Sequence, residues 1–118
     1  MLAVQGDDPM IPPIPISVRT SSVQVRKPVD SDYGGEYGEP ETIENVRFEG
    51  VSAMVRDEYR LVDGAKGLLW IDATSKGAFA IPEGSLVSVD GGEWLTAASV
   101  APFKGFGTRI HHWEIQLS

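Results

Sequence analysis

Two adjacent histidines, His111 and His112, are the chain's only imidazoles. A metal is the first chemistry they suggest. Neighbouring residues on a strand point to opposite faces, so the two rings are expected to face apart and not to share an ion. The chain has no third histidine and no cysteine to complete a ligand set. Histidine titrates near neutrality, but nothing in the sequence singles out either ring as a pH switch. Serine, histidine and aspartate all occur, yet no Gly-x-Ser-x-Gly elbow is present to present a nucleophile. Asp72 closes the apolar run Gly67-Leu68-Leu69-Trp70-Ile71, where its expected work is to accept backbone amides of the following turn. Lys104-Gly105-Phe106-Gly107 lacks the spacing of a phosphate loop and leads into a strand pattern, not a helix N-terminus. From Asp30 to Glu44 there are six acids and no base. They lack the alternating Asp/Asn, central glycine and terminal glutamate of a calcium loop. The reading is therefore of a non-enzyme with no metal and no cofactor.

Composition narrows the remaining classes. In 118 residues, 17 acids face 10 bases, for a net charge of -7. Proteins that grip nucleic acid through its phosphates present a basic face, so the balance argues against tight, sequence-reading DNA binding. It does not exclude a surface past which DNA slides. No run approaches the 18 apolar residues of a membrane helix. The first fifteen residues carry no lysine or arginine, and prolines break their apolar stretch, so no secretion signal is expected.

The elements that must position these residues are strands. Residues 1–16 hold prolines at 9, 12, 13 and 15 and read as an extended, polyproline-like arm. In residues 17–27, Val18 and Thr20 alternate with polar neighbours, then Val23 and Val25 do; the slip at Ser21-Ser22 suggests a bulge. Residues 28–41, rich in glycine, proline and acids, make a loop. Residues 42–50 form a strand in which Ile43 is out of phase, again a bulge signal. Residues 51–66 tolerate helix, strand or loop. Strands follow at 67–72, 85–89, 93–100 and 108–117, with Asp90-Gly91-Gly92 as a hairpin turn and 102–107 as a loop. In the last strand His111, Trp113, Ile115 and Leu117 share one face, and Ile110, His112, Glu114 and Gln116 the other. The expected core is Phe48, Leu68, Trp70, Val87, Val89, Trp94, Val100, Trp113 and Ile115. The fold class is all-β: a small barrel or sandwich of about six strands in one domain, 17–118, with flexible segments at 28–41 and 51–66.

The order of segments carries more than any one site. Met10-Ile-Pro-Pro-Ile-Pro15 is followed by Tyr37-Gly-Glu-Pro-Glu-Thr-Ile-Glu-Asn-Val-Arg-Phe-Glu49. Lys66-Gly-Leu-Leu-Trp-Ile-Asp72 and Glu83-Gly-Ser-Leu-Val-Ser-Val-Asp-Gly-Gly-Glu-Trp94 come next. Pro102-Phe103 and His111-His112-Trp113-Glu114 end the series. From residue 10 to 118 this resembles the small minor capsid proteins of long-tailed phages and prophages. The resemblance implies a head-completion or head–tail connector component of the stopper type. Such a protein forms a homo-oligomeric ring in the virion neck, assembled in the host cytoplasm. Its partners are a connector or adaptor ring on the portal side and tail-completion or tail-tube proteins on the other. DNA touches it only in passing, and no membrane is involved. On this reading Asp30, Asp32, Tyr33, Gly34, Gly35, Glu36, Tyr37, Gly38 and Glu39 form a loop that lines or gates the channel, with 51–66 as the second candidate. Ile11, Pro12, Pro13, Ile14, Pro15 and Ile16 form an arm that docks on an adjacent ring, its isoleucines facing one partner surface. The alternative is a small β-barrel adaptor or binding module that uses an exposed strand edge and gates no DNA.

Overall fold

The computed structural model describes residues 12–30, 34–51, 61–104 and 107–118. Met10, Ile11, Asp32, Tyr33, Gly105, Phe106 and most of the 51–66 segment lie outside the described residues. The described residues form six strands: β1 (Ser21–Arg26), β2 (Glu41–Gly50), β3 (Gly67–Asp72), β4 (Leu86–Val89), β5 (Trp94–Phe103) and β6 (His112–Leu117). A single 3-10 turn, Ile16–Val18, precedes them. The strands close into a barrel in the order β1-β2-β3-β6-β5-β4, with every adjacent pair antiparallel. The protein is all-β.

Alternation drives the closure. Val23 and Val25 of β1, Val87 of β4, Leu95 and Ala97 of β5, and Ile115 and Leu117 of β6 all turn inward to one core. Burying each large aliphatic is worth about 1.5–3 kcal/mol. β2 contributes Ile43 and Val46, three positions apart and both fully buried. An unbroken strand could not aim both inward. The register resolves this: Ser21 faces Val46 while Val23 faces Ile43, so β2 carries one extra residue there, and Asn45 takes φ 58°. The bulge signalled by Ile43 is thus present. The slip read at Ser21-Ser22 falls on the same irregularity, where the register shifts between Ser21 and Val23. Val18 and Thr20 lie outside β1, and Val18 sits exposed in the 3-10 turn.

β3 is buried on both faces, residue by residue. Leu69 and Ile71 enter the barrel core. Leu68 and Trp70 point outward into a second apolar layer with Leu61 and Ala65, capped by Ile14 and Val51. Gly67 is required at the head of this strand, because a Cβ there would overlap the Phe48 ring.

Several core assignments shift accordingly. Val87 and Ile115 are in the barrel core, while Phe48, Val89, Val100 and Trp113 are half-buried against it. Leu68 and Trp70 are buried outside the barrel. Trp94 is not core: it is 44% exposed, since inward Leu95 and Ala97 force Trp94 to the outer face. β5 also runs further than expected, to Phe103, with Pro102 opposite Trp113. Beyond β4, the β5 residues Ser99–Phe103 pair with β6 alone among the described residues. Pro102 has no amide hydrogen to offer along that overhang, which blunts it as a pairing edge.

Candidate functional site

The richest polar chemistry lies where the N-terminal arm crosses the outer faces of β3 and β6. Asp72, the last residue of β3, is buried to 1% exposure. Its carboxylate accepts the Thr74 amide at 2.9 Å and the Thr74 hydroxyl at 2.6 Å, as a turn-capping aspartate should. It also accepts the amide of Ile14, 58 residues away, at 2.7 Å. Burial pushes the Asp72 pKa up, but the Thr74 hydroxyl and amide, the Ile14 amide and the Arg19 charge outweigh it, and the net shift is downward.

Arg19, 7% exposed, completes the anchor. Its Nε donates to the Ile14 carbonyl at 2.8 Å, and its Nη1 reaches the Asn45 carbonyl and Ser75 Oγ at 3.4 and 3.3 Å. Ser75 Oγ in turn donates to the Asn45 carbonyl at 2.7 Å. The arm is thereby tied to the β2 bulge and the β3 turn at once. Neither Arg19 nor its role was legible in the sequence. The available signal was an arginine within an otherwise apolar and hydroxyl-rich stretch.

This geometry changes the reading of the docking arm. Ile14 is half-buried against the arm's own barrel, beside Leu68 and Trp70. Ile16 is 64% exposed and Val18 is 39% exposed. The isoleucines therefore do not present one common surface, because the Asp72 and Arg19 bonds fix Ile14 inward. Pro12, Pro13 and Pro15 are exposed; Ile11 lies outside the described residues.

The histidine expectation is overturned. β6 begins at His112, not at residue 108, so strand alternation does not extend back to His111. The two rings meet, with Nδ1 to Nδ1 at 2.9 Å and ring centroids 5.1 Å apart. Among the described residues no group of three acids and histidines is placed to hold a metal ion. His112 Nε2 lies 2.9 Å from the Glu114 carboxylate, two residues on and on the same strand face. His111 Nε2 lies 2.7 Å from the Pro12 carbonyl. Next to this chain of contacts is a groove of about 350 Å³, lined by Ile14, Val18, Arg47, Glu49, Trp70, His112 and Glu114. Its charges are matched within it: Arg47 pairs Glu49 at 3.1 Å and lies over the Trp70 ring.

The acidic segment has a firm root. Pro28 and Tyr37 form a β-bridge, the Gly38 amide donates to the Lys27 carbonyl at 2.8 Å, and the Val29 amide to the Glu36 carbonyl at 3.0 Å. Arg26 donates to the carbonyls of Gly38 and Tyr37. The far end carries Gly34 and Gly35 at φ 69° and 74°, both exposed. Tyr37 is half-buried at the root, so it is no bulky tip. Asp30, Glu36 and Glu39 are exposed and form no ion pair among the described residues, whereas Glu41 pairs Lys27 and Glu44 pairs Lys76. Asp32 and Tyr33 lie outside the described residues.

A closed antiparallel barrel, an anchored N-terminal crossing and a stalked acidic loop are thus laid out along one short chain. A family model described as "Minor capsid protein" matches residues 15–117. The chain belongs to the minor capsid protein family. No curated protein and no solved structure matches it. In this minor capsid protein the matched span takes in Arg19, Asp72, the histidine pair and the whole acidic segment, while Pro12 and Ile14 precede it. Among the described residues no helix is long and apolar enough to cross a membrane.

Proposed function

We propose that this minor capsid protein is a subunit of a head–tail connector ring of the stopper type, joining the portal complex to the tail and helping to hold DNA in the channel. One observation carries the reading: acids with no ion pair among the described residues stand on a firmly rooted, glycine-bearing loop that leaves a closed barrel. Duplex DNA is a dense line of negative charge, so a basic wall would bind it and stall its passage. An acidic wall lets it slide, and ring symmetry repeats Asp30, Glu36 and Glu39 in every copy. Glu41 and Glu44 contribute little, since lysines neutralise them. The barrel supplies the fixed body, and the exposed Ile16 and Val18 supply apolar contact for a neighbouring ring.

Imaging of assembled particles tests the placement. Density for this chain is expected as a symmetric ring at the head–tail junction; density elsewhere in the shell supports an adaptor role without gating. Deletion of residues 34–38, which leaves the barrel strands intact, tests the gate. DNA retention is expected to fall, and particles that retain DNA and join tails normally would reject it.

A further inference from the structure

The histidine contacts form a chain of four groups whose protons can be counted. A carbonyl only accepts, so His111 Nε2 donates to the Pro12 oxygen. The His112 Nε2 to Glu114 contact holds one proton, and the Nδ1 to Nδ1 contact holds one more, since two bare nitrogens or two N–H groups cannot meet at 2.9 Å. That makes three protons on two imidazoles and one carboxylate. Two neutral imidazoles beside an ionised glutamate carry only two. The geometry points to a single additional proton shared between His111 and His112, which makes the pair a pH-sensitive latch that holds the N-terminal arm to the barrel at Pro12.

The surroundings suit one positive charge. Glu114 faces His112 from the same strand, and the Phe103 ring of β5 stacks on His112 with centroids 4.9 Å apart. From β3, Asp72 lies opposite His112 in register, and the arm sets Arg19 near that carboxylate. Arg47 and Glu49 of β2 line the groove beside His112 and neutralise one another. Lys104 follows Phe103 on the exposed side, and Arg109 precedes the pair by two residues. Histidine gains and loses protons near neutral pH. Losing the shared proton sets two lone pairs against each other; gaining another sets two N–H groups against each other. Either change breaks the contact, swings His111 away and frees Pro12. The latch therefore closes in a window and opens on both sides. This is independent of the connector reading, because it concerns how the arm is held and not where the particle places it.

Nitrogen NMR of the intact protein tests it. Between about pH 5 and 8, a nitrogen–nitrogen coupling across the Nδ1–H···Nδ1 bond is expected in mid-range and lost at both ends. The Pro12 carbonyl-carbon shift follows the same profile, and protection of the Ile14 amide falls about tenfold outside it, the worth of one charge-assisted hydrogen bond. His111→Phe keeps a ring against Phe103 and is expected to leave arm protection low and flat with pH. Glu114→Gln is expected to move the window to lower pH. Absence of the coupling at every pH overturns the proposal, as does an unchanged Ile14 profile in His111→Phe. Loss of arm contacts through Asp72 protonation is distinguishable, because it occurs only in strong acid.

Discussion

At the residue scale, burial separates side chains of the same type. Trp70 is 8% exposed and packed in the outer layer of β3, whereas Trp94 is 44% exposed. Trp70→Ala is expected to cost about 3–5 kcal/mol of unfolding free energy, and Trp94→Ala under about 1 kcal/mol. Urea unfolding of the two variants measures the gap; equal losses would show that the outer layer contributes no more than surface. Asp72 makes a second prediction. Its pKa in the fold lies below the ordinary 3.8. Its contribution is therefore complete above that value and drains away as pH falls through the lower folded pKa. Thermal midpoints measured from neutral pH into strong acid are expected to drop along that limb, and Asp72→Asn to flatten it. Asp72→Ala removes the acceptor of the Ile14 and Thr74 amides; both bonds are only part-buried, so the expected loss is about 1–3 kcal/mol in all.

At the scale of elements, β3 and the arm are one unit. Gly67 packs directly beneath Phe48, so Gly67→Ala forces overpacking worth about 1–3 kcal/mol. Pairing it with Phe48→Leu is expected to recover part of the loss, and a double variant no better than the single one would remove the ring clash as the cause. The arm was expected to serve an adjacent ring. Its contacts say otherwise for the last few residues. Deleting residues 1–16 strips Ile14 from Leu68 and Trp70 and removes a bond to Asp72. That loss is about 2–4 kcal/mol, read as a lower urea midpoint.

For the whole molecule, closure and charge decide behaviour. Among the described residues the barrel's pairing uses nearly every strand edge, so the connector ring proposed above would associate through loops, the arm and exposed apolar side chains such as Ile16 and Phe103. The surface ion pairs contribute little: Lys27–Glu41, at 3.0 Å with both partners 44% exposed, belongs to a class worth about 0–1 kcal/mol. Lys27→Met is expected to shift the unfolding midpoint hardly at all. Asp30→Lys with Glu36→Lys and Glu39→Lys is expected to leave the fold intact while slowing DNA release from particles, in keeping with the proposed channel role. Ejection at the normal rate would detach the acidic loop from that role.

The strands themselves were readable from the amino acids because their signals are local. Two-residue alternation marks β1, β4 and β6, the solid apolar run of Gly67–Asp72 marks a strand buried on both sides, and Asp90-Gly91 adopts φ 50° and 77° at its hairpin. Ile43 even disclosed its bulge. What the sequence left open depends on residues far apart along the chain. Trp94 could be assigned inward or outward only once Leu95 and Ala97 had entered the barrel. Ile14 became an internal contact only because Asp72 and Arg19 hold it there. His111 and His112 meet because β6 starts only at His112, four residues later than the expected strand. A strand's period is written in its neighbours, whereas register, closure and the company a side chain keeps are set by long-range pairing, and these placed the chemistry.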